Sequence, residues 1–321
     1  MRRLLPALTL AGLLLPAAAN PQAPVVPLAQ EPKPFVLEAE VEVVSVTVVA
    51  FDKAGHFVRG LGPGDIELLE DGVPQDISLF REAKGKGDEE IPLSVVLVLD
   101  TSGSMKESLD FLKEAALNFV YKLEDVDTAL VVQFNETIKG SADFTGDTDR
   151  LERFVNSLQA WGGTSLYDAT HYGLERIKDQ PGRKAAILFS DGADNTSRMD
   201  ERTVVDFAKM IEATVYGIGF KGSSFSGGSA SGFLKKISSE TGGDYYSPDK
   251  MGELIKTFAA ISEELKNHYI LAYTPKRGPD NMYRKIELRV KREGVQVRLR
   301  KGYVATKRRK PRPATTRPPQ P

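Results

Sequence analysis

The 321-residue chain has no cysteine, a single tryptophan and only three histidines. Without cysteine there can be no disulfide, no zinc–thiolate site and no thiol nucleophile, so packing or bound ions must hold the fold. His56, His171 and His268 lie far apart in the chain, which reads as three surface or strand-edge residues and not as a metal centre. Long apolar runs are also scarce. The stretch Leu4–Leu15, interrupted by Pro6, offers about 12 residues where roughly 20 are needed to span a bilayer. It follows Arg2 and Arg3 and precedes Ala17, Ala18 and Ala19, which is the layout of a secretory signal peptide over 1–19. The expectation is an exported protein, periplasmic or secreted and associated with the cell envelope, with no membrane span once the peptide is removed. No cysteine follows the apolar stretch to carry a lipid.

What is present is charge, unevenly placed. The formal net charge of -1 conceals +6 in residues 305–321 and +2 in the first 19, leaving the remainder near -9. That balance speaks against a nucleic-acid surface on the folded part. The tail, KRRKPRPATTRPPQP, is too polar and proline-rich to fold and suits contact with anionic envelope material.

Residues 20–34 hold five prolines and read as an extended linker. A β-rich segment follows over 35–82. It starts with EAEVEVVSVTVVAF, whose alternation slips at Val43 and Val44 as a bulge or bend would cause. The charged bridge AKGKGDEE then leads to residues 91–267, where strands and helices alternate. This implies an α/β fold, Rossmann-like, with a mainly parallel sheet covered by helices on both faces. From 268 to 304, HYILAYTP, RKIELRVKR and VQVRLRKGY read as three strands, the last two joined by a tight Glu293–Gly294 turn. Each flanking β-segment is short of strands to hide a face. The two are therefore expected to pair as one β-sandwich with the α/β domain inserted between them. The loop KGSSFSGGSASG, 221–232, reads as a connection at the ligand-bearing edge.

In an open parallel sheet, ligands gather beyond the carboxyl ends of the strands. SVVLVLD runs apolar into Asp100, with Ser102 and Ser104 just after it, and KAAILFSDG ends at Asp191 in the same manner. WGGTSLYDA opens a helix and presents Thr164. Two carboxylates and three hydroxyls suit a hard cation, Mg2+ first, with Mn2+ or Ca2+ as substitutes. Two carboxylates balance the ion and the hydroxyls add no charge, so the metal stays receptive to a carboxylate from a partner protein. Asp168 and Asp194 lie close in sequence and read as capping or solvated groups.

The set Asp100-Thr-Ser102-Gly-Ser104, Thr164 and Asp191 resembles the metal-ion-dependent adhesion site of von Willebrand factor type A domains, over about residues 91–267. The flanks resemble the bacterial exported VWFA-related proteins common in Acidobacteria. The resemblance implies that Ser102, Ser104 and Thr164 hold the ion directly or through water, and Asp100 and Asp191 partly through water. It also implies a last helix, 251–267, able to shift on ligand binding and so to be felt in the strands after it. A non-enzymatic interaction module is the expected function. One alternative is an ion that only stabilises loops in a structural or envelope-assembly protein. A Mg2+-dependent phosphatase would want a second Asp where Ser102 stands, and a serine hydrolase would need a base beside Ser102 or Ser104.

Overall fold

The structure is a computed structural model that describes residues 43–83, 91–220 and 229–306. The expected signal peptide, proline-rich linker and basic tail lie outside the described residues, as do 84–90 and most of the 221–232 loop.

The first β-segment forms β1 (Val44–Phe51), β2 (Ile66–Glu70), β3 (Val73–Pro74) and β4 (Ile77–Glu82). The α/β region then runs β5 (Leu93–Asp100), α1 (Leu109–Val120), β6 (Thr128–Phe134), β7 (Ile138–Gly140), α2 (Thr148–Asn156) and α3 (Leu166–Ile177). It continues with β8 (Arg183–Ser190), α4 (Glu201–Met210), β9 (Thr214–Gly219), α5 (Ser229–Thr241), β10 (Tyr245–Tyr246) and α6 (Met251–Lys266). The chain closes with β11 (Tyr269–Tyr273), β12 (Tyr283–Val290), β13 (Gln296–Leu299) and β14 (Gly302–Val304).

The central sheet has the order β10-β9-β8-β5-β6-β7, parallel except for β7, which pairs antiparallel with β6 at one edge. Every residue of β5 is buried, because alternate side chains enter two different cores. Val95, Leu97 and Leu99 pack with Leu112 and Phe119 of α1, Leu151 of α2 and Phe258 of α6. Val96 and Val98 face the opposite way, toward Leu174 of α3, Val204 of α4 and Phe233 of α5. After β5 the chain passes to β6 on one side, and later to β8 on the other. This divergence opens a crevice at the carboxyl end of β5, where α/β sheets bind ligands.

The remaining strands form two antiparallel four-stranded sheets, β13-β1-β11-β4 and β14-β12-β2-β3, that share one apolar core. Each sheet mixes strands from before and after the α/β domain: β1 pairs with β11 and β13, and β2 with β12. Three details depart from the sequence reading. VQVRLRKGY is two strands, not one, with the chain crossing from one sheet to the other at Arg300 and Lys301. Consequently β12 and β13 do not make a hairpin: they lie in different sheets despite the tight connection at Gly294. Val297, Leu299 and Tyr303 all enter the same core, so the parity of the period-two pattern is the same on both sides of the crossing, with the exposed Lys301 between. The slip at Val43 and Val44 is where β1 begins, with Val43 exposed and Val44 buried.

The outer face of the β13-β1-β11-β4 sheet lies against the amino end of the parallel sheet, where Thr47 and Val49 approach Leu93, Arg183 and Thr214. Arg298 of β13 anchors this junction. It donates to Asp244 Oδ2 at 2.7 Å and to Glu264 of α6, whose carboxylate also accepts from the buried Tyr216 hydroxyl at 2.7 Å. Arg183 Nη1 reaches the Leu265 carbonyl at 2.6 Å. Gly242 closes the same contact with φ of +86°, and a Cβ there would sit 2.5 Å from Arg300 N and 2.6 Å from Leu299 C. Gly242→Ala should therefore lower stability by more than about 1 kcal/mol, combining left-handed strain with a backbone clash. Urea unfolding checks this, and an unchanged midpoint would contradict it.

Candidate functional site

The junction with the sandwich occupies one end of the central sheet and Asp100 the other. The eight residues of β5 separate them by about 23 Å. Asp100 is fully buried, and both of its oxygens accept hydrogen bonds: Oδ1 from Ser102 N at 2.8 Å, and Oδ2 from Ser190 Oγ at 2.6 Å. Ser102 Oγ lies 3.0 Å from Ser104 Oγ, and Ser104 Oγ donates to Asp191 Oδ1 at 2.8 Å. Three of the five sequence-predicted groups, Ser102, Ser104 and Asp191, are thus linked side chain to side chain. Asp100 joins them through the backbone of Ser102.

Thr164 reaches the same edge through its loop. Its Oγ1 lies 3.8 Å from where a Cβ on Gly192 would stand, beside Asp191. Its N–H donates to Asn195 Oδ1 at 2.9 Å, and its carbonyl accepts from the N–H groups of Asn195 and Thr196. At Gly163 a Cβ would come within 2.7 Å of Thr196 Cγ2, so this close approach of two loops requires glycine. The β5–α1 loop is fixed in turn. Gly103 N donates to Gly162 O, Trp161 N to Thr101 O, and Thr101 N to Phe134 O at the end of β6. The three segments brace one another before any ligand arrives.

Asp168 and Asp194 hold backbone and not the oxygen cluster. Asp168 accepts from Arg198 N and Met199 N, and Asp194 from Tyr167 N and the N–H and hydroxyl of Ser197. His171 stacks on Phe207, with ring centroids 4.6 Å apart, on the α3–α4 surface. His56 pairs with Asp52 in a β-segment turn, and His268 is buried at the sandwich junction. None of the three histidines is placed as a base for Ser102 or Ser104. Ser190, Thr101 and Asn195 escaped sequence reasoning: each is an ordinary polar residue whose partner lies 31 to 90 positions away. The one available signal was Ser190 directly preceding Asp191 in LFSDG.

Electrostatically the cluster is unfinished. Burial pushes the Asp100 carboxyl up from the ordinary 3.8 to about 7, and burial likewise raises Asp191. The Asp191 charge adds to the rise at Asp100, while hydrogen bonds from Ser102 and Ser190 oppose it. Neither carboxylate forms an ion pair with a basic side chain among the described residues. A divalent cation would supply the missing positive charge, and oxygens already converging from three loops are the donors Mg2+ takes. Among the described residues no three His, Cys, Asp or Glu side chains gather in one cluster. A divalent ion here would meet two carboxylates, which balance its charge, and hydroxyls, which add none.

The von Willebrand factor type A domain family model matches residues 94–260. Among curated proteins, the uncharacterized protein sll0103 of Synechocystis sp. is 27% identical over 210 residues, covering 59% of this chain and 46% of its own length. The chain thus spans about half the length of that relative. Among solved structures, von Willebrand factor type A from Catenulispora acidiphila is similar at 14% identity, TM-score 0.49, over 75% of this chain and 74% of that one. The vWF domain of the type V pili tip protein Mfa5 from Porphyromonas gingivalis is similar at 14% identity, TM-score 0.46, over 55% of this chain and 95% of that one.

Proposed function

The chain belongs to the von Willebrand factor type A domain family, and from that premise we propose that it is an exported, non-enzymatic module that binds a partner protein through a metal ion. Asp100, Ser102, Ser104, Thr164 and Asp191 hold Mg2+, and an acidic side chain of the partner completes the coordination. The observation that carries this reading is the chain of oxygens from Ser102 through Ser104 to Asp191, beside a buried Asp100 whose pKa is pushed to about 7 without a basic partner. A structure that retains such a carboxylate offsets its desolvation when a cation binds. When bound, the ion supplies a Lewis-acidic position open to an outside carboxylate. The chain's own residues orient the hydroxyls and exclude water from the inner side of the site.

Hydrolysis has no support from the geometry. Ser102 and Ser104 hydrogen-bond each other and Asp191, and neither is paired with a histidine as in the serine–histidine arrangement of serine hydrolases. The exposed Trp161, one residue from Gly162 in the bracing loop, gives the site an apolar shoulder and a fluorescent reporter.

Titration of Mg2+ into the full chain, by calorimetry and by Trp161 fluorescence, tests the metal. Saturable binding should weaken at least tenfold in Asp191→Asn and Thr164→Ala variants shown to be folded by circular dichroism. Equal affinity in the variants would remove these residues from the site. Peptides each bearing one Asp or Glu should be retained on the immobilised chain with Mg2+ and released by EDTA. Retention that persists through EDTA would favour an ion serving only the loops.

A further inference from the structure

At the end of the molecule opposite Asp100, a cleft of about 320 Å3 lies between the α/β domain and the outer face of the β13-β1-β11-β4 sheet. All five residues of β11 are buried, but only Tyr269, Leu271 and Tyr273 enter the sandwich core. Ile270 and Ala272 point the other way and form part of the cleft wall, opposite Ala208 and Ile211. The wall also carries charged side chains, Arg183, Lys184, Lys209 and Arg300 with Glu212 and Glu240, and Lys209 is paired with Asp206 and Glu240.

Arg300 is the unusual member. It is 8% exposed, yet its guanidinium forms no ion pair with a carboxylate among the described residues. Its Nε donates to Gly302 O at 2.8 Å and its Nη2 to Lys209 O at 3.0 Å, both neutral carbonyls, while Nη1 has no hydrogen-bond partner. Glu212 acts on it electrostatically, and Glu240 is engaged by Lys209 and Lys301. An uncompensated buried guanidinium is costly, and an anion nearby offsets it. The volume is at the lower end of that of small-molecule sites, which favour domain boundaries, apolar walls and a few fixed polar groups.

We infer that this cleft is a binding site for a small organic anion, a carboxylate with a short apolar body. The carboxylate lies toward the Arg300, Lys184 and Lys209 side and the apolar body against Ile270 and Ala272. The site joins strands from both sides of the inserted domain to the α/β domain itself, so it exists only when all of them are assembled. It is independent of the metal site, which lies at the far end of β5.

Octanoate titrated calorimetrically into the full chain, in Mg2+-free buffer, is the test. Saturable binding at one site is expected, with octylammonium, of opposite charge, and acetate, without the apolar body, each at least tenfold weaker. Because Arg300→Met removes two hydrogen bonds and can unfold the junction, the informative variants are Ile270→Trp, which fills the cleft, and Lys184→Glu, which reverses one wall charge. Each should weaken octanoate at least tenfold while retaining the wild-type circular dichroism spectrum. Absence of saturable binding, equal binding of octylammonium, or unchanged affinity in a folded Ile270→Trp variant would overturn the proposal. A requirement for Mg2+ would place the carboxylate at the metal instead and overturn it equally.

Discussion

Arg284→Met should lower the stability of the sandwich by roughly 3–5 kcal/mol, the range for breaking a buried ion pair from one side. Arg284 is fully buried and donates from Nη1 to Glu70 Oε1 at 3.0 Å and to the Arg277 carbonyl at 3.0 Å. Its Nη2 serves the Gly278 carbonyl, and Asp280 lies 3.3 Å away. On the other side of Glu70, the hydroxyls of Tyr273 and Tyr303 both donate to Oε2 at 2.8 Å. These four side chains come from both sheets and tie them through the core. Methionine would leave a buried carboxylate with phenolic donors but no cation, and two carbonyls without their donor. Adding Glu70→Gln, which removes the charge but keeps an acceptor for the tyrosines, should recover part of the loss. Urea unfolding of the wild type, both single variants and the double variant gives the coupling, and a coupling near zero would show that the pair acts independently. The two α/β cores are separate from that of the sandwich. The Arg284→Met transition followed by circular dichroism should therefore begin before the one reported by Trp161 in the α/β domain.

The second large effect depends on pH. In the metal-free chain the folded state holds the Asp100 proton up to about pH 7, whereas the unfolded chain releases it near 3.8. Between these values the folded state binds more protons. The stabilisation is fully present below pH 3.8 and is lost as pH rises through about 7. At about 1.4 kcal/mol per pH unit, the loss from this group is on the order of 4 kcal/mol across the window. Asp191, also raised by burial, adds a change of the same sign. His268 acts oppositely: burial pushes it from 6.5 down to about 3, so its contribution grows as pH rises through that range. The quantity to measure is therefore the difference between wild type and Asp100→Asn, in which His268 is common to both. In EDTA the wild type should lose stability relative to Asp100→Asn as pH rises from 4.5 to 8. Mg2+ at pH 8 should restore the wild type and leave the variant unmoved. Parallel stability curves in EDTA would show that the Asp100 carboxyl titrates as in the unfolded chain.

The fold class was legible because the signals for it are local. A strand covered on both faces must be apolar throughout, as SVVLVLD is, and a helix on a sheet repeats every three to four residues, as Leu112, Ala116 and Phe119 do. The pattern Asp100, Ser102, Ser104, Thr164 and Asp191 was visible as short polar runs that follow apolar ones at strand ends. The crossing at Arg300 and Lys301 was not visible, because both sheets face one core and the buried positions of β13 and β14 keep the same parity. Nor could the sequence indicate that Ser190 bonds Asp100 across 90 residues, or that Glu70 and Arg284 neutralise each other across 214. Hydrophobic periodicity reports which face of an element is buried. Which polar side chains meet, and whether a buried charge such as Arg300 finds a partner, follows only from the packing of elements distant in the chain.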